Sequence, residues 1–155
     1  MVNFQKIEKQ LQMLKKFVAI LKQLRLLNPV EFVDDPRNYG SAERFLQLAI
    51  ETTLNIGNHL ISTHNFEAPQ DYSDIFLILG KHNVLPKDFA DELTNMARFR
   101  NRLVHVYWEV DVDRVYNIIQ TNLGDFEKFT RYVLEFIEQT EGGNPPSVCS
   151  INSST

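Results

Sequence analysis

The chain has 155 residues, 43% hydrophobic and 23% charged, a composition that suits one soluble globular domain with a real core. Its net charge of −4 argues against coating nucleic acid by bulk electrostatics, and its one cysteine, Cys149, rules out a disulfide framework or a cysteine metal centre. No stretch approaches the roughly eighteen consecutive apolar residues of a membrane span, and Met1 to Lys9 lack the apolar run of a secretory signal, so a cytoplasmic protein without membrane contact is expected.

In chain order, Phe4, Ile7, Leu11, Leu14, Val18 and Leu21 step alternately by three and four, the spacing of a helix that packs in a bundle. Lys6, Lys9, Lys15, Lys16, Lys22 and Arg25 against Glu8 give residues 1–25 a net charge of +5, leaving −9 on the rest. Such a basic helix could track RNA, dock an acidic partner, or be a solvated lysine face. Pro29 is read as its end and residues 29–42 as a connection punctuated by Pro36 and Gly40. A second helix is predicted from about Ala42 to His64, burying Phe45, Leu46, Ala49, Ile50, Leu54, Leu60 and Ile61, with Gly57 at a close helix–helix contact. A short third helix, Asp71 to Lys81, turns Tyr72, Ile75, Phe76 and Leu79 inward.

Pro86 suits the first turn of a fourth helix, whose apolar stripe runs through Phe89, Ala90, Leu93, Met96 and Ala97. Val110-Asp111-Val112-Asp113 then supplies a cap. One helix is predicted from there to about Gln139, with Val112, Val115, Ile119, Leu123, Phe126, Phe129, Val133 and Ile137 inward. The expected fold is all-α, an up-and-down bundle of four long helices plus a short one over residues 1–140. Residues 141–155 form a polar tail without a core pattern and are expected to be disordered.

The most informative segment is Arg98-Phe99-Arg100-Asn101-Arg102-Leu103-Val104-His105-Val106-Tyr107. Continued by threes and fours, the stripe of the fourth helix reaches Arg100, Leu103, Val104 and Tyr107. Arg100 thus falls at a core position, where its five donors need a partner. A carboxylate such as Glu51 or Asp111 would serve, and so would an anionic ligand, phosphate above all. On a straight helix, residues five apart differ by about 140° in direction. Arg100 and His105 therefore do not share a face, whereas Arg98, Arg102 and His105 do. Either those three form a polar cluster, or the helix loosens near Leu103, or Arg100 and His105 converge across a symmetric interface.

Arg100-Asn101-x-x-x-His105-x-Tyr107 resembles the arginine-x4-histidine-x-tyrosine motif of HEPN-domain toxins of the HepT (DUF86) family. Glu43-Arg44-Phe45-Leu46-Gln47-Leu48-Ala49-Ile50-Glu51 resembles that family's second helix, and Tyr72-Ser73-Asp74-Ile75-Phe76 and Val110-Asp111 fall where it has comparable elements. One departure is Asn55, where the family favours aspartate.

The resemblance implies the toxin of a type II/VII-like toxin–antitoxin system, a metal-independent endoribonuclease acting on tRNA or mRNA. It implies a homodimer whose two motifs meet at the two-fold axis. Arg100, Asn101 and His105 would be catalytic, Arg98 and Arg102 would contact RNA or phosphate, and no cofactor or metal is implied. The implied partner is a minimal nucleotidyltransferase (MNT) antitoxin that silences the toxin by transferring AMP to Tyr107. The chemistry is within reach of these side chains. Histidine titrates in the range needed to move a proton from the 2′-OH and to the 5′ oxygen, and arginine offsets charge on a pentacovalent phosphorane. A non-catalytic nucleotide- or protein-binding module is the alternative, and a plain helical adaptor a third. His59 and His64 read as surface or helix-end residues. Glu43 and Glu51 read as a solvated or arginine-pairing face rather than a general-acid pair.

Overall fold

The computed structural model describes residues 3–105 and 111–141, and at His105 and Glu141 the backbone alone. Among the described residues there are seven helices and no strand: α1 (Phe4–Leu24), α2 (Pro29–Asp34), α3 (Pro36–Thr63), α4 (Tyr72–Lys81), α5 (Lys87–His105), α6 (Val112–Thr121) and α7 (Gly124–Glu141). None is long and apolar enough to cross a membrane.

The four long helices alternate in direction. The backbone N–H of Asn3 donates to His59 Nε2 at 3.3 Å, placing the start of α1 beside the end of α3. Lys22, late in α1, pairs with Glu127, early in α7, and Phe136, late in α7, meets His64 edge-on at the end of α3. Helix α5 runs back along α3, with Arg100 beside Glu51. The core stripes follow the predicted spacing: Ile7, Leu11, Leu14, Val18 and Leu21 in α1 and Phe89, Ala90, Leu93 and Ala97 in α5 are all buried. Helix α3 touches every other long helix, which explains why Thr53 is also fully buried there. Its hydroxyl donates to the Ala49 carbonyl at 2.8 Å.

Three expectations are corrected. The connection read over 29–42 is helical. Pro29 and Pro36 each occupy a first helical turn, behind the capping side chains of Asn28 and Asp35. Proline lacks only an N–H that a first turn leaves unpaired anyway, so these breakers mark starts. The single helix expected over 112–139 is two, α6 and α7. The apolar spacing hid the junction because the turn there is tight: Asn122 N–H donates to Ile118 at 2.8 Å and Phe126 N–H to Leu123 at 3.2 Å. Ile119, Leu123 and Phe126 therefore keep helical spacing and stay buried across it. Tyr72, expected inward, is 44% exposed. The polar tail from 142 onward, and Tyr107 and Trp108, lie outside the described residues.

Two glycines set how closely α4 can approach its neighbours. A Cβ on Gly57 would lie 2.7 Å from Ile75 Cγ2, a branch methyl on a stiff β-branched carbon, and 3.1 Å from Leu79 Cδ1, the end of a side chain that can rotate. A Cβ on Gly80 would lie 2.8 Å from the Cβ of Ala90, which cannot swing away. Gly80→Ala is therefore expected to destabilise by about 1–3 kcal/mol through overpacking. Gly57→Ala should cost less, because Leu79 can rotate and Ile75 can change rotamer whereas the Ala90 Cβ moves only with its backbone; the roughly 0.5–1 kcal/mol that a helix gains from a lost glycine applies to both. Urea unfolding of the two variants checks the order.

Candidate functional site

Helix α5 brings a guanidinium into the protein body. Arg100 lies on the same side of the helix as the buried Phe89, Leu93 and Leu103, and its side chain is 14% exposed. Its Nε and Nη2 donate to Glu51 Oε1 of α3 at 3.0 and 2.8 Å. Gln47, one turn earlier on α3, donates to the same oxygen at 3.1 Å. Nη1 of Arg100 donates to Asn101 Oδ1 at 3.2 Å. Of the two carboxylates that could have answered Arg100, the structure pairs it with Glu51. Asp111 instead caps α6, accepting from the N–H groups of Asp113 and Arg114.

Among the described residues these bonds occupy three of the five N–H groups of Arg100, leaving two for an incoming anion. Glu51 serves both to hold the guanidinium and to fix its orientation, since both bonds to it converge on one oxygen. The guanidinium lies over the Tyr72 ring, with Cζ 4.6 Å from the centroid. Tyr72 is itself held at the first position of α4 by a capping box. Asp71 accepts from the Asp74 N–H at 3.1 Å and from Ser73 Oγ at 2.6 Å, and Asp74 accepts from Asp71 N–H at 3.2 Å. The Ser73 hydroxyl and the Asp74 amide, with Arg98 adding electrostatically, hold the Asp71 carboxyl below its usual range.

The other arginines stand outside. Arg98 is exposed and reaches Asn95 Oδ1 at 3.4 Å, and Arg102 is also exposed. Asn101 is exposed beside its bond to Arg100. Helix α5 stays α-helical without interruption through His105, so it does not loosen near Leu103. Positions 100 and 105 accordingly lie about 140° apart around its axis. The structure thus brings Arg100 and Asn101 together with Glu51 and Tyr72, and within one chain it does not put positions 100 and 105 on one face.

The remaining candidates settle simply. His59 accepts the Asn3 amide, and His64 caps the end of α3 with Nδ1 at 2.9 Å from the Leu60 carbonyl oxygen. Glu43 and Glu51 are two turns apart, roughly 12 Å along the axis. Glu51 is committed to Arg100, and burial pushes the Glu43 carboxyl up. Asn55 is exposed one turn beyond Glu51. Sequence reasoning missed Tyr72 as part of this cluster, because its position in α4 continues an apolar stripe. It also missed Gln47, although the Gln47-x-x-x-Glu51 spacing could have pointed to it.

Residues 7–133 match the family described as ribonuclease HepT-like. The chain is similar to the mRNA nuclease HepT of Shewanella oneidensis, 34% identical over 84 residues, which are 54% of this chain and 63% of that protein, just under two thirds of its length. It is similar to the tRNA nuclease HepT of Aphanizomenon flos-aquae, 24% identical over 138 residues, 89% of this chain and 94% of that protein. The fold superposes on a solved structure of a tri-AMPylated Shewanella oneidensis HEPN toxin in complex with an MNT antitoxin. That match has a TM-score of 0.78 at 27% identity, covering 87% of this chain and 99% of the other.

Proposed function

The chain belongs to the ribonuclease HepT-like family, and on that premise we propose that it is the toxin of a toxin–antitoxin pair, a cytoplasmic endoribonuclease cutting tRNA or mRNA. What carries this reading is Arg100, a guanidinium drawn into the buried side of α5, aimed by Glu51 and left with two donors for an anion. Its spacing to Asn101, His105 and Tyr107 is that of the family motif. Two relatives named as mRNA and tRNA nucleases support the substrate class.

The unbroken helix through His105 favours a site completed by a second copy of the chain. With the 140° offset, an Arg100 and a His105 serve one phosphate most simply when they face each other across a two-fold axis. There one imidazole takes the 2′-OH proton and the 2′ oxygen attacks phosphorus. The partner's His105 protonates the departing 5′ oxygen, leaving a 2′,3′-cyclic phosphate and a 5′-hydroxyl. Arg100 offsets the charge that builds on the phosphorane, Asn101 steadies the guanidinium, and the exposed Arg98 and Arg102 meet neighbouring phosphates. The helical domain over residues 1–140 carries this activity.

The antitoxin in this reading is a nucleotidyltransferase that joins AMP from ATP to the Tyr107 oxygen, releasing pyrophosphate. The tri-AMPylated relative bound to an MNT antitoxin supports that switch. In this reading the added adenylate blocks the site by its bulk and by the negative charge it brings to the arginines. Co-expression with the cognate nucleotidyltransferase is expected to add one to three AMP masses to this chain and to end RNA cleavage, and Tyr107→Phe should prevent both. Unchanged mass with full silencing would contradict the switch. The second reading, a non-catalytic binding module, draws on the same Glu51 contact: an arginine already paired can be a purely structural one.

A further inference from the structure

We propose that Tyr72 is a stacking platform for a nucleobase of the RNA, next to the nucleotide whose phosphate Arg100 holds; this rests on the ribonuclease reading above. The position continues the apolar stripe of α4, yet Tyr72 is 44% exposed while Ile75, Phe76 and Leu79 are buried. One face of the ring is covered by the Arg100 guanidinium, 4.6 Å away. The guanidinium covers that face alone, which leaves the opposite face for a base in this proposal. The capping box of Asp71 and Asp74 fixes the Tyr72 backbone at the first turn of a ten-residue helix, and the Arg100 guanidinium backs the ring, so little freedom is lost when a base settles on it.

An exposed aromatic face backed by a guanidinium is how single-stranded RNA is gripped when bases are splayed from their neighbours. The stack would run base, Tyr72, Arg100, with the phosphate of the same strand at the two remaining N–H groups of Arg100. Arg98, which interacts electrostatically with Asp71, stands at the same end of α4 for the next phosphate. Glu51 contributes by keeping the guanidinium over the ring rather than letting it swing out to solvent. Such a platform accepts any base and favours unpaired loops over duplex, because a base inside a helix has no free face to offer.

The test is binding of fluorescent total tRNA to unmodified full-length protein in a His105→Ala background, with Tyr72→Leu and Tyr72→Phe added. Stacking on an aromatic side chain is worth about 1–3 kcal/mol per base, roughly 5- to 150-fold in affinity. Tyr72→Leu is expected to weaken binding at least fivefold, and Tyr72→Phe to stay within about twofold. Photocrosslinking of 4-thiouridine-substituted tRNA to protein with Tyr72 intact should label the peptide containing Tyr72, which gives a readout even if the leucine variant misfolds. Equal affinity of the folded leucine variant, equal weakening in both variants, or crosslinks confined to other peptides would each overturn the proposal. Loss of dimer in Tyr72→Leu with tRNA affinity intact would also overturn it, making Tyr72 an interface residue. If His105→Ala protein binds no tRNA and the parent cuts none, it is the ribonuclease reading that fails.

Discussion

Replacing Arg100 by alanine is expected to lower RNA cleavage by roughly 10³-fold or more, the scale of a transition-state arginine, and to destabilise the fold by about 1–3 kcal/mol through the stranded Glu51 carboxylate. The two losses come from different partners and can be separated. Glu51 is 29% exposed, so without Arg100 it is partly hydrated but no longer paired. Adding Glu51→Ala to Arg100→Ala removes the stranded charge and should recover most of the lost stability while leaving cleavage absent. A structural arginine predicts the opposite pattern: the double variant would regain whatever RNA phenotype the single variant lost. Arg100→Lys keeps the charge but cannot place two donors on Glu51 while presenting two more to phosphate. It is expected to fold nearly normally and to cleave at least tenfold more slowly. Urea unfolding and tRNA cleavage rates on the same four proteins give both axes.

A dimer with one wild-type and one His105→Ala subunit is expected to be almost as inactive as the His105→Ala homodimer. If one cleft uses both imidazoles, as base and as acid, removing either costs roughly 10²–10⁴-fold. If each chain held its own complete site, the mixed dimer would keep half the wild-type rate. The prediction follows from the backbone: α5 is regular through His105, which separates positions 100 and 105 by about 140° within a chain. Differently tagged subunits, co-expressed and purified through both tags, supply the mixed dimer. Half-maximal cleavage would mean that each site uses a single imidazole and would contradict a cleft that needs both.

Much of this was legible in the residues because it depended on periodicity. The α1 and α5 stripes are buried as their spacing requires, with Phe4 and Met96 half-buried at their margins, and Arg100 lies on the buried side as its register requires. The errors have physical causes. Pro29 and Pro36 looked like breaks because proline is read the same way at either end of a helix, and only the capping Asn28 and Asp35 tell the ends apart. The α6–α7 junction was invisible because a tight turn at Asn122 and Leu123 preserves apolar spacing. Tyr72 has the spacing of a core residue and lies instead under a guanidinium 28 positions further along the chain. No local pattern reports such a contact. Glu51 was one of two carboxylates able to answer Arg100, and only the packing of α3 on α5 chose between them.

The most direct measurement is digestion of total tRNA and of mRNA in EDTA by protein verified by mass as unmodified and by light scattering as dimeric, beside His105→Ala and Arg100→Ala. The account predicts fragments ending in 2′,3′-cyclic phosphate with the wild type and intact RNA with both variants. Intact RNA in every lane would contradict an endoribonuclease and leave the chain a helical binding module.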